Sequence, residues 1–404
     1  MRILIITQYF WPESFRINDL ATALNDRGHE VHVLTGIPNY PNGSFFDNYT
    51  FFNKGKEEWN GIKIFRSILF PRGRGKGINL FINYISFAIF ASIKILFIQN
   101  RYDKIFVFQV SPITVGIPAI VAKYKFKAPI FFWVQDLWPE SVTAAGGVKN
   151  KYILFILNNL TNYIYKNSNK ILVQSKAFMP YILNQKVDLK KLVYYPNSTE
   201  NYYKSLKPDK ELLGKLPAGL KLMFAGNIGE AQSFDTLLET ALLLKNEQIN
   251  VQWIVLGDGR MKEYVSNKIK ELNLIDNFHL LGSFPSTEMP KYFSCADALI
   301  VSLKKQSIFA LTVPSKIQSY LACGKPILCS LDGEGSRIIK EANAGFVSPS
   351  EDPFNFALNI KKFINLREEE RNKLGINGQA YFNIEFERET LVEKLIEIFN
   401  SETV

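Results

Sequence analysis

The sequence predicts an α/β protein made of two consecutive doubly wound domains. Three observations carry this. Short β-branched runs alternate with helical stretches from Ile3 to Ser330. The alternation pauses at Tyr195-Pro196-Asn197-Ser198-Thr199 and then restarts in the same order. The chain has 404 residues and 47% hydrophobic content, enough length for about two domains and enough apolar material for a core in each.

In the first half, Ile3–Thr7 reads as a buried strand and Asn18–Arg27 as a helix ended by Gly28. Glu30–Leu34 is the next strand. Further strands are expected at Lys63–Arg66, Lys104–Phe108, Pro129–Val134 and Lys170–Gln174, with helices at Ile117–Lys123 and Lys151–Lys166. The second half gives strands at Leu220–Ala225, Val251–Leu256, Phe278–Leu281, Ala298–Ser302 and Ile327–Ser330. Helices fall at Phe234–Lys245, Met261–Leu272, Met289–Cys295 and Pro314–Gly324. The domains expected are 1–197 and 198–385, with 386–404 as a terminal helix returning to the first. Two such units place a cleft between them, and clefts favour ligands.

Lys and Arg number 48 against 38 Asp and Glu, a net charge of +10. This points to an anionic partner: a phosphorylated substrate or an anionic lipid. Nucleic acid is the weakest candidate, for want of zinc-finger spacing and of basic runs interleaved with aromatics, and none is expected as a partner. Cys295, Cys323 and Cys329 form no CxxC pair, and their odd number argues against a disulfide framework. A reducing cytosol fits. Cys323 reads as a small apolar helix residue. His29 lies in a turn, and His32 and His279 lie within strands; all three read as structural.

The segment Pro314–Gly324 carries the strongest chemical signal. Proline suits a helix's first turn, and Gly324 suits the left-handed residue after its end. A helix N-terminus offers free N–H groups and partial positive charge to a phosphate. Pro314, Ser315 and Lys316 occupy that end, and Lys316 adds a full charge. An ordinary surface helix is the other reading; the place of this helix in the second α/β domain favours the phosphate site. The loop Gly226-Asn227-Ile228-Gly229 after the first strand of that domain lets backbone approach phosphates closely. Arg260, in the strand-end turn Gly257-Asp258-Gly259-Arg260, either meets the base or phosphate or simply closes the turn.

Ile78–Ile98 is nearly long enough to span a bilayer, which takes ~20 apolar residues. Asn79, Asn83 and Lys94 weaken a span. The run Arg72-Gly73-Arg74-Gly75-Lys76 precedes it, and basic residues near anionic lipid contribute ~1 kcal/mol each. A helix dipping into one leaflet, a helix buried in the domain and a true span all remain open.

Gln8-Tyr9-Phe10-Trp11-Pro12-Glu13, Thr35-Gly36-Ile37-Pro38-Asn39-Tyr40-Pro41, Gln135-Asp136-Leu137-Trp138-Pro139-Glu140-Ser141, the Pro314–Gly324 segment and Gly333-Glu334-Gly335-Ser336-Arg337 follow one another in order. Together they resemble a family-4-type glycosyltransferase of the GT-B fold. The resemblance extends to the bacterial O-antigen and capsule enzymes of the L-fucosamine (N-acetyl-L-fucosamine) transferase type. It covers nearly the whole chain. It implies metal-independent transfer from a nucleotide-diphosphate sugar, a substrate and not a cofactor. The donor would sit on the second domain and the acceptor on the first. No Asp-x-Asp motif for a divalent ion occurs, which agrees.

The chain departs from the wider family in three places. An Arg and a Lys common after the first strand of the donor domain are missing from Gly226–Gln232, so Lys316 and Arg337 must carry more of the diphosphate's charge. Ser319 stands where a ribose-binding Glu is common. Gln135-Asp136 stands where many relatives have an acceptor-side His. By the resemblance, the backbone at Gly282-Ser283 meets the nucleotide base.

Asp136 follows a strand, where α/β sheets place ligands. It either accepts or orients the acceptor hydroxyl's proton or caps a helix. Glu140 either shares that role or pairs with a cation. Glu13 and Arg16 follow the first strand: they face the cleft, with Arg16 taking an acceptor phosphate, or form a surface ion pair. Asn39 and Tyr40 line the acceptor site or form a Pro-rich turn. The reading is a hexosaminyltransferase at the cytoplasmic face of the membrane, moving an amino sugar, first N-acetyl-L-fucosamine, from a UDP-sugar to a polyprenyl-diphosphate-linked acceptor. A GT-B-fold 2-epimerase and a non-catalytic membrane-bound scaffold that binds nucleotide sugar are the alternatives.

Overall fold

The computed structural model describes residues 1–51, 56–73, 77–144 and 150–402. The chain divides into two units, Met1–Pro196 joined by the chain from Val392, and Asn197–Leu391.

The first unit contains β1 (Arg2–Ile6), α1 (Arg16–Asp26), β2 (Glu30–Gly36), β3 (Lys56–Trp59), β4 (Ile62–Ser67), α2 (Gly77–Phe97), β5 (Lys104–Gln109), α3 (Gly116–Phe126), β6 (Ile130–Val134), α4 (Glu140–Ala144), α5 (Lys151–Asn167), β7 (Lys170–Val173), α6 (Phe178–Leu183) and β8 (Leu192–Tyr194). Its eight strands run in the order β3-β4-β2-β1-β5-β6-β7-β8. All neighbours are parallel except β3, an antiparallel edge strand against β4. Its Lys-Glu-Glu-Trp sequence has no β-branched residue, so the sequence pattern does not reveal it. β5 and β6 are buried along their whole length, as a parallel sheet covered on both faces requires.

The connections β4–α2–β5, β5–α3–β6 and β6–α5–β7 all step in one direction across this sheet. Right-handed crossovers therefore put α2, α3 and α5 on one face. α2 packs on α3, and α3 on α5. α1, whose connection steps the other way, takes the opposite face. α2 is neither wholly buried nor wholly exposed. Phe87, Ala91 and Ile95 are fully buried, whereas Ile78, Phe81, Leu96 and Phe97 stand in solvent.

The second unit contains α7 (Lys210–Lys215), β9 (Leu220–Ala225), α8 (Phe234–Asn246), β10 (Val251–Leu256), α9 (Lys262–Glu271), β11 (Phe278–Gly282), α10 (Met289–Ser294), β12 (Ala298–Ser302), α11 (Ser307–Leu311), α12 (Ser315–Ala322), β13 (Ile327–Ser330), α13 (Glu334–Glu341), β14 (Gly345–Ser348), α14 (Pro353–Ile364) and α15 (Glu368–Glu385). Its parallel sheet runs β11-β10-β9-β12-β13-β14, so the strand order reverses between β9 and β12, where such sheets bind ligands. Side chains alternate cleanly along β9: Leu222 and Phe224 enter one core cluster, Met223 and Ala225 the other.

In the second unit the sequence pattern offers no counterpart for α7, α11, α13, β14, α14 and α15. The final helix, α16 (Arg388–Asn400), carries the chain back into the first unit. There the Phe399 ring lies 5.8 Å from Phe106 and 4.8 Å from Phe131.

Candidate functional site

α12 begins one residue after the expected start, at Ser315, with Pro314 before it instead of in its first turn. Pro314 precedes the first helical residue with φ −58° and ψ 126°, and the first amides of a helix have no intrahelical acceptor. Gly324 ends it at φ +64°, a left-handed conformation that glycine takes without strain. Tyr320, fully buried, accepts a 2.9 Å hydrogen bond from the Ala225 amide through its hydroxyl. That bond fixes α12 against the end of β9.

Lys316 leaves the first turn of α12 and reaches over β9. Its Nζ lies 3.6 Å from the centroid of the Phe224 ring and donates to Gln232 Oε1 at 2.8 Å. A Cβ added to Gly226 would sit 3.4 Å from this Nζ. Burial pushes the amine down to about 7, because the low-polarity surroundings disfavour the charged form.

The glycine loop is laced to its neighbour. The Gly226 amide donates to Leu256 O at 2.9 Å, Ile228 to Asp258 O at 2.8 Å, and Met261 to Ile228 O at 3.0 Å. A Cβ on Gly257 would lie 1.9 Å from Gly226 O, so only glycine allows this approach. A Cβ on Gly229 would meet Asn227 Nδ2 at 2.5 Å. The Gly257 amide donates to Gly282 O at 2.8 Å. Gly226–Gly229, Gly257–Met261 and Gly282 thus form one backbone assembly beside Lys316. Arg260 and Ser283 are exposed on its rim.

Two donor-side expectations change. Arg337 is bound within its own helix: Glu334 takes its Nε at 3.0 Å and its Nη2 at 2.7 Å, and Glu341 takes Nη1. Both carboxylates raise the guanidinium's already high pKa. Its charge is therefore matched inside α13, whereas Lys316 stands beside the Gly226 loop. Ser319 is buried, with its Oγ 3.0 Å from Thr199 Oγ1, and Thr199 Oγ1 lies 3.1 Å from Glu200 Oε2. Ser319, Thr199 and Glu200 thus form a chain of polar groups; Thr199 reads in the sequence only as part of the domain junction, and Glu200 carries no signal there.

In the first unit Asp136 follows β6. It is half-buried and makes no hydrogen bond or ion pair among the described residues. Burial alone raises its carboxyl to about 7. It does not cap a helix. Glu140, at the start of α4, faces elsewhere, into a cavity of about 420 Å³ shared with Asn158 and Asn162 of α5 and Tyr181 of α6. Its Oε2 is buried without a hydrogen bond.

Glu13 is not part of a surface ion pair. It is 2% exposed, and its carboxylate accepts the amides of Asn39 and Tyr40, each at 2.8 Å, and of Phe10 at 3.3 Å. It clamps the loop after β1 to the loop after β2. Burial raises its carboxyl to about 7 against those hydrogen bonds. Asn39 is fully buried, giving Nδ2 to Ile37 O at 2.9 Å and accepting the Arg72 amide at 3.1 Å, so its side chain is structural. Arg16 opens α1, half-buried. Tyr40 is open to solvent and has Arg72 Cζ 4.9 Å from its ring centroid. With Tyr9 at 5.7 Å and Phe15 at 5.3 Å it makes an aromatic patch, of which only Tyr40 had been singled out. Arg72 belongs to the basic run, but Arg74, Gly75 and Lys76 lie outside the described residues.

The remaining signals are structural. His32 Nδ1 lies 2.8 Å from Tyr102 Oη and His279 Nε2 lies 2.7 Å from Gln252 Oε1. All three cysteines are buried and free, and burial pushes the Cys323 thiol up to about 12, far from a nucleophile.

The second unit thus joins a strand-order reversal, a glycine assembly and a cation at a helix N-terminus, and its similarities are to glycosyltransferases. Residues 210–381 match the family described as glycosyl transferases group 1. Two relatives fall in the same class. One is the probable glycosyltransferase WbjE of Pseudomonas aeruginosa, 28% identical over 247 residues, or 58% of this chain and 60% of that protein. The other is the putative colanic acid biosynthesis glycosyl transferase WcaI of Escherichia coli strain K12, 23% identical over 339 residues, or 80% of this chain and 82% of that one. The chain thus spans about three fifths of WbjE. Among solved structures, Anabaena Alr3699/HepE in complex with UDP aligns over 100% of both chains at a TM-score of 0.71 and 14% identity. The sucrose-phosphate synthase of Thermosynechococcus elongatus aligns over 99% and 98% at 0.72 and 16%. At these identities the likeness is one of fold, and the fold is GT-B.

Proposed function

We propose that the protein transfers a sugar from a UDP-sugar to a lipid-linked acceptor at a membrane surface, in the assembly of a bacterial surface polysaccharide. The observation that carries the reading is the placement of Lys316 Nζ between the start of α12 and the Gly226 loop. A diphosphate laid on that loop meets backbone amides, a helix N-terminus and one ammonium. The UDP bound by HepE supports the donor, and the colanic acid biosynthesis named for WcaI supports the polysaccharide setting. The amino sugar, first N-acetyl-L-fucosamine, and the polyprenyl-diphosphate acceptor come from the family resemblance.

In this reading the acceptor oxygen forms a bond to the anomeric carbon as the bond from that carbon to the diphosphate breaks. The electron pair goes to the leaving phosphate oxygen, where Lys316 and the Ser315 and Lys316 amides stabilise it. With retention, that oxygen takes the attacking hydroxyl's one proton, and ionised Asp136 is left an orienting role, accepting a hydrogen bond from a neighbouring hydroxyl of the acceptor sugar. No metal ion is required, because Lys316 and the helix supply the positive charge.

A thermal-shift screen of UDP, GDP and ADP, followed by incubation of the preferred sugar nucleotide with polyprenyl-diphosphate-linked sugars, tests this. Stabilisation by UDP and transfer unaffected by EDTA are expected. A preference for another nucleotide, or a 2-epimer formed without acceptor, would overturn it.

A further inference from the structure

The helical layer α2–α3–α5 has an unusual composition. None of its three helices contains Asp or Glu, in a chain with 38 of them. Their charged residues are all lysines: Lys94 on α2, Lys123 and Lys125 on α3, Lys151 and Lys166 on α5. The three helices run in the same direction, each returning antiparallel to the strands. Lys94, Lys123, Lys125 and Lys166 therefore gather at one end of the layer. There Lys125 Nζ donates to the last-turn carbonyls of Ile95 and Leu96 at 2.8 and 2.6 Å, and Lys123 Nζ to Asn167 O.

Between the lysines the outward faces are apolar. On α2, Ile78, Ile82, Ile89, Ile93 and Leu96 form a stripe at helical spacing, all exposed. α5 has its own: Tyr152 is 81%, Phe155 67% and Ile156 64% exposed, with Tyr163 one further turn pair along. Tyr124, 67% exposed, stands on α3 between them. Because the helices form one layer on one face of the sheet, these stripes look the same way. Large exposed apolar patches on soluble proteins mark interaction sites. Aromatic residues with lysines and no acids fit the interface of an anionic bilayer.

By length and apolar content α2 is the one helix among the described residues that qualifies to cross a membrane, with a third of its apolar window buried. Its inner face forbids that. Asn83 is fully buried and hydrogen-bonded, accepting from Gln8 Nε2 at 2.7 Å and donating to Phe70 O at 2.6 Å. A span would strip those partners and uncover the sheet.

We propose that the protein docks face-on to an anionic lipid bilayer through the whole α2–α3–α5 layer, with α5 as a second apolar anchor and no transmembrane span. This rests on the membrane setting of the proposed function, but not on sugar transfer. The test is co-sedimentation of the full-length protein, without donor or acceptor, with vesicles of phosphatidylglycerol and phosphatidylcholine and with vesicles of phosphatidylcholine alone. Wild type is expected to prefer the anionic vesicles and to be released by salt or alkaline carbonate. The double variant Phe155→Asp, Ile156→Asp is expected to lose ~10-fold or more of its partitioning, with an unchanged circular-dichroism melt and unchanged UDP-induced thermal shift. A second variant, Lys151→Glu with Lys166→Glu, is expected to lose the anionic preference. Undiminished binding by both variants overturns the role of α5. Resistance to carbonate overturns face-on docking in favour of a span. If the α5 variants instead split a dimer in sedimentation velocity while vesicle binding stays intact, the face belongs to a second copy of the chain. Absent transfer activity with intact vesicle binding would sink the functional reading alone.

Discussion

The ammonium of Lys316 sits 3.6 Å above the centre of the Phe224 ring. The ring is part of the floor of the second unit, so the charge is held in a largely desolvated place, and its pKa falls to about 7. A bound diphosphate favours the charged form and raises that value. Below about pH 7 the free protein already carries the proton, and donor binding needs none. Above it, binding must take up a proton, so affinity falls ~10-fold per pH unit until the pKa of the bound state is passed. Calorimetric titration of a UDP-sugar from pH 6 upward measures this; the sugar ester has no phosphate proton of its own to titrate in that range. A flat profile contradicts it.

The contact of Gly257 with Gly226 O leaves no room for a methyl group. Gly257→Ala is expected to cost about 1–3 kcal/mol, the usual penalty for overpacking, and to shift the Gly226 loop. Chemical denaturation and a UDP thermal shift on the same variant read both effects. Wild-type values in each would show that the two loops can move apart.

Asp136 has its carboxyl raised to about 7 by burial. If its ionised form orients the acceptor hydroxyl, kcat/KM rises as pH passes through 7 and then levels. Asp136→Asn should remove that rise and leave the affinity for UDP unchanged. The same group gives a stability signature. Its folded pKa lies above the unfolded value, so the folded state binds the extra proton, and stability is lost as pH rises from about 4 to about 7. Asp136→Asn should therefore melt no lower than wild type at pH 8. A lower melt together with an unchanged pH–rate profile would assign Asp136 a structural role.

Glu13 accepts three backbone amides from two loops. Glu13→Gln keeps the size but replaces one acceptor oxygen by a donor, and a buried amide left without a partner costs about 1–3 kcal/mol. A lower melting temperature with unchanged UDP affinity is the expected result, since the clamp lies in the first unit. Loss of UDP binding without loss of stability would be the contrary finding.

Much of this was legible in the sequence. Gly28, at φ +80°, and Gly324, at φ +64°, end helices where the chain pattern says they should. The β-branched runs became the parallel strands because buried strands need no polar alternation. The edge strand at Lys56–Trp59 is not legible because it is charged and lacks β-branched residues, and α14 and α15 carry no chemical motif. Roles were harder than positions. Glu13 and Asn39 stand beside motif prolines and look exposed, yet tertiary packing turned them inward to satisfy amides of other loops. Arg337 reads as a phosphate cation until the spacing Glu334, Arg337, Glu341 is set on a helix, where both carboxylates fall within reach of its guanidinium. That spacing is visible in the sequence. The apolar outer face of α5 is visible as well, but its meaning depends on its sharing a layer with α2, which only the strand order reveals.

The central claim is that Lys316 is the cation that meets the donor diphosphate. Calorimetric titration of UDP into wild type and Lys316→Met at pH 6.5 tests it most directly. Methionine preserves the apolar stem over Phe224 and removes the charge together with its hydrogen bond to Gln232. The account predicts binding weaker by about 10–100-fold, the loss of one charged hydrogen-bonding partner, with the melting temperature of the free protein held or raised. Equal affinity in the two proteins would contradict it.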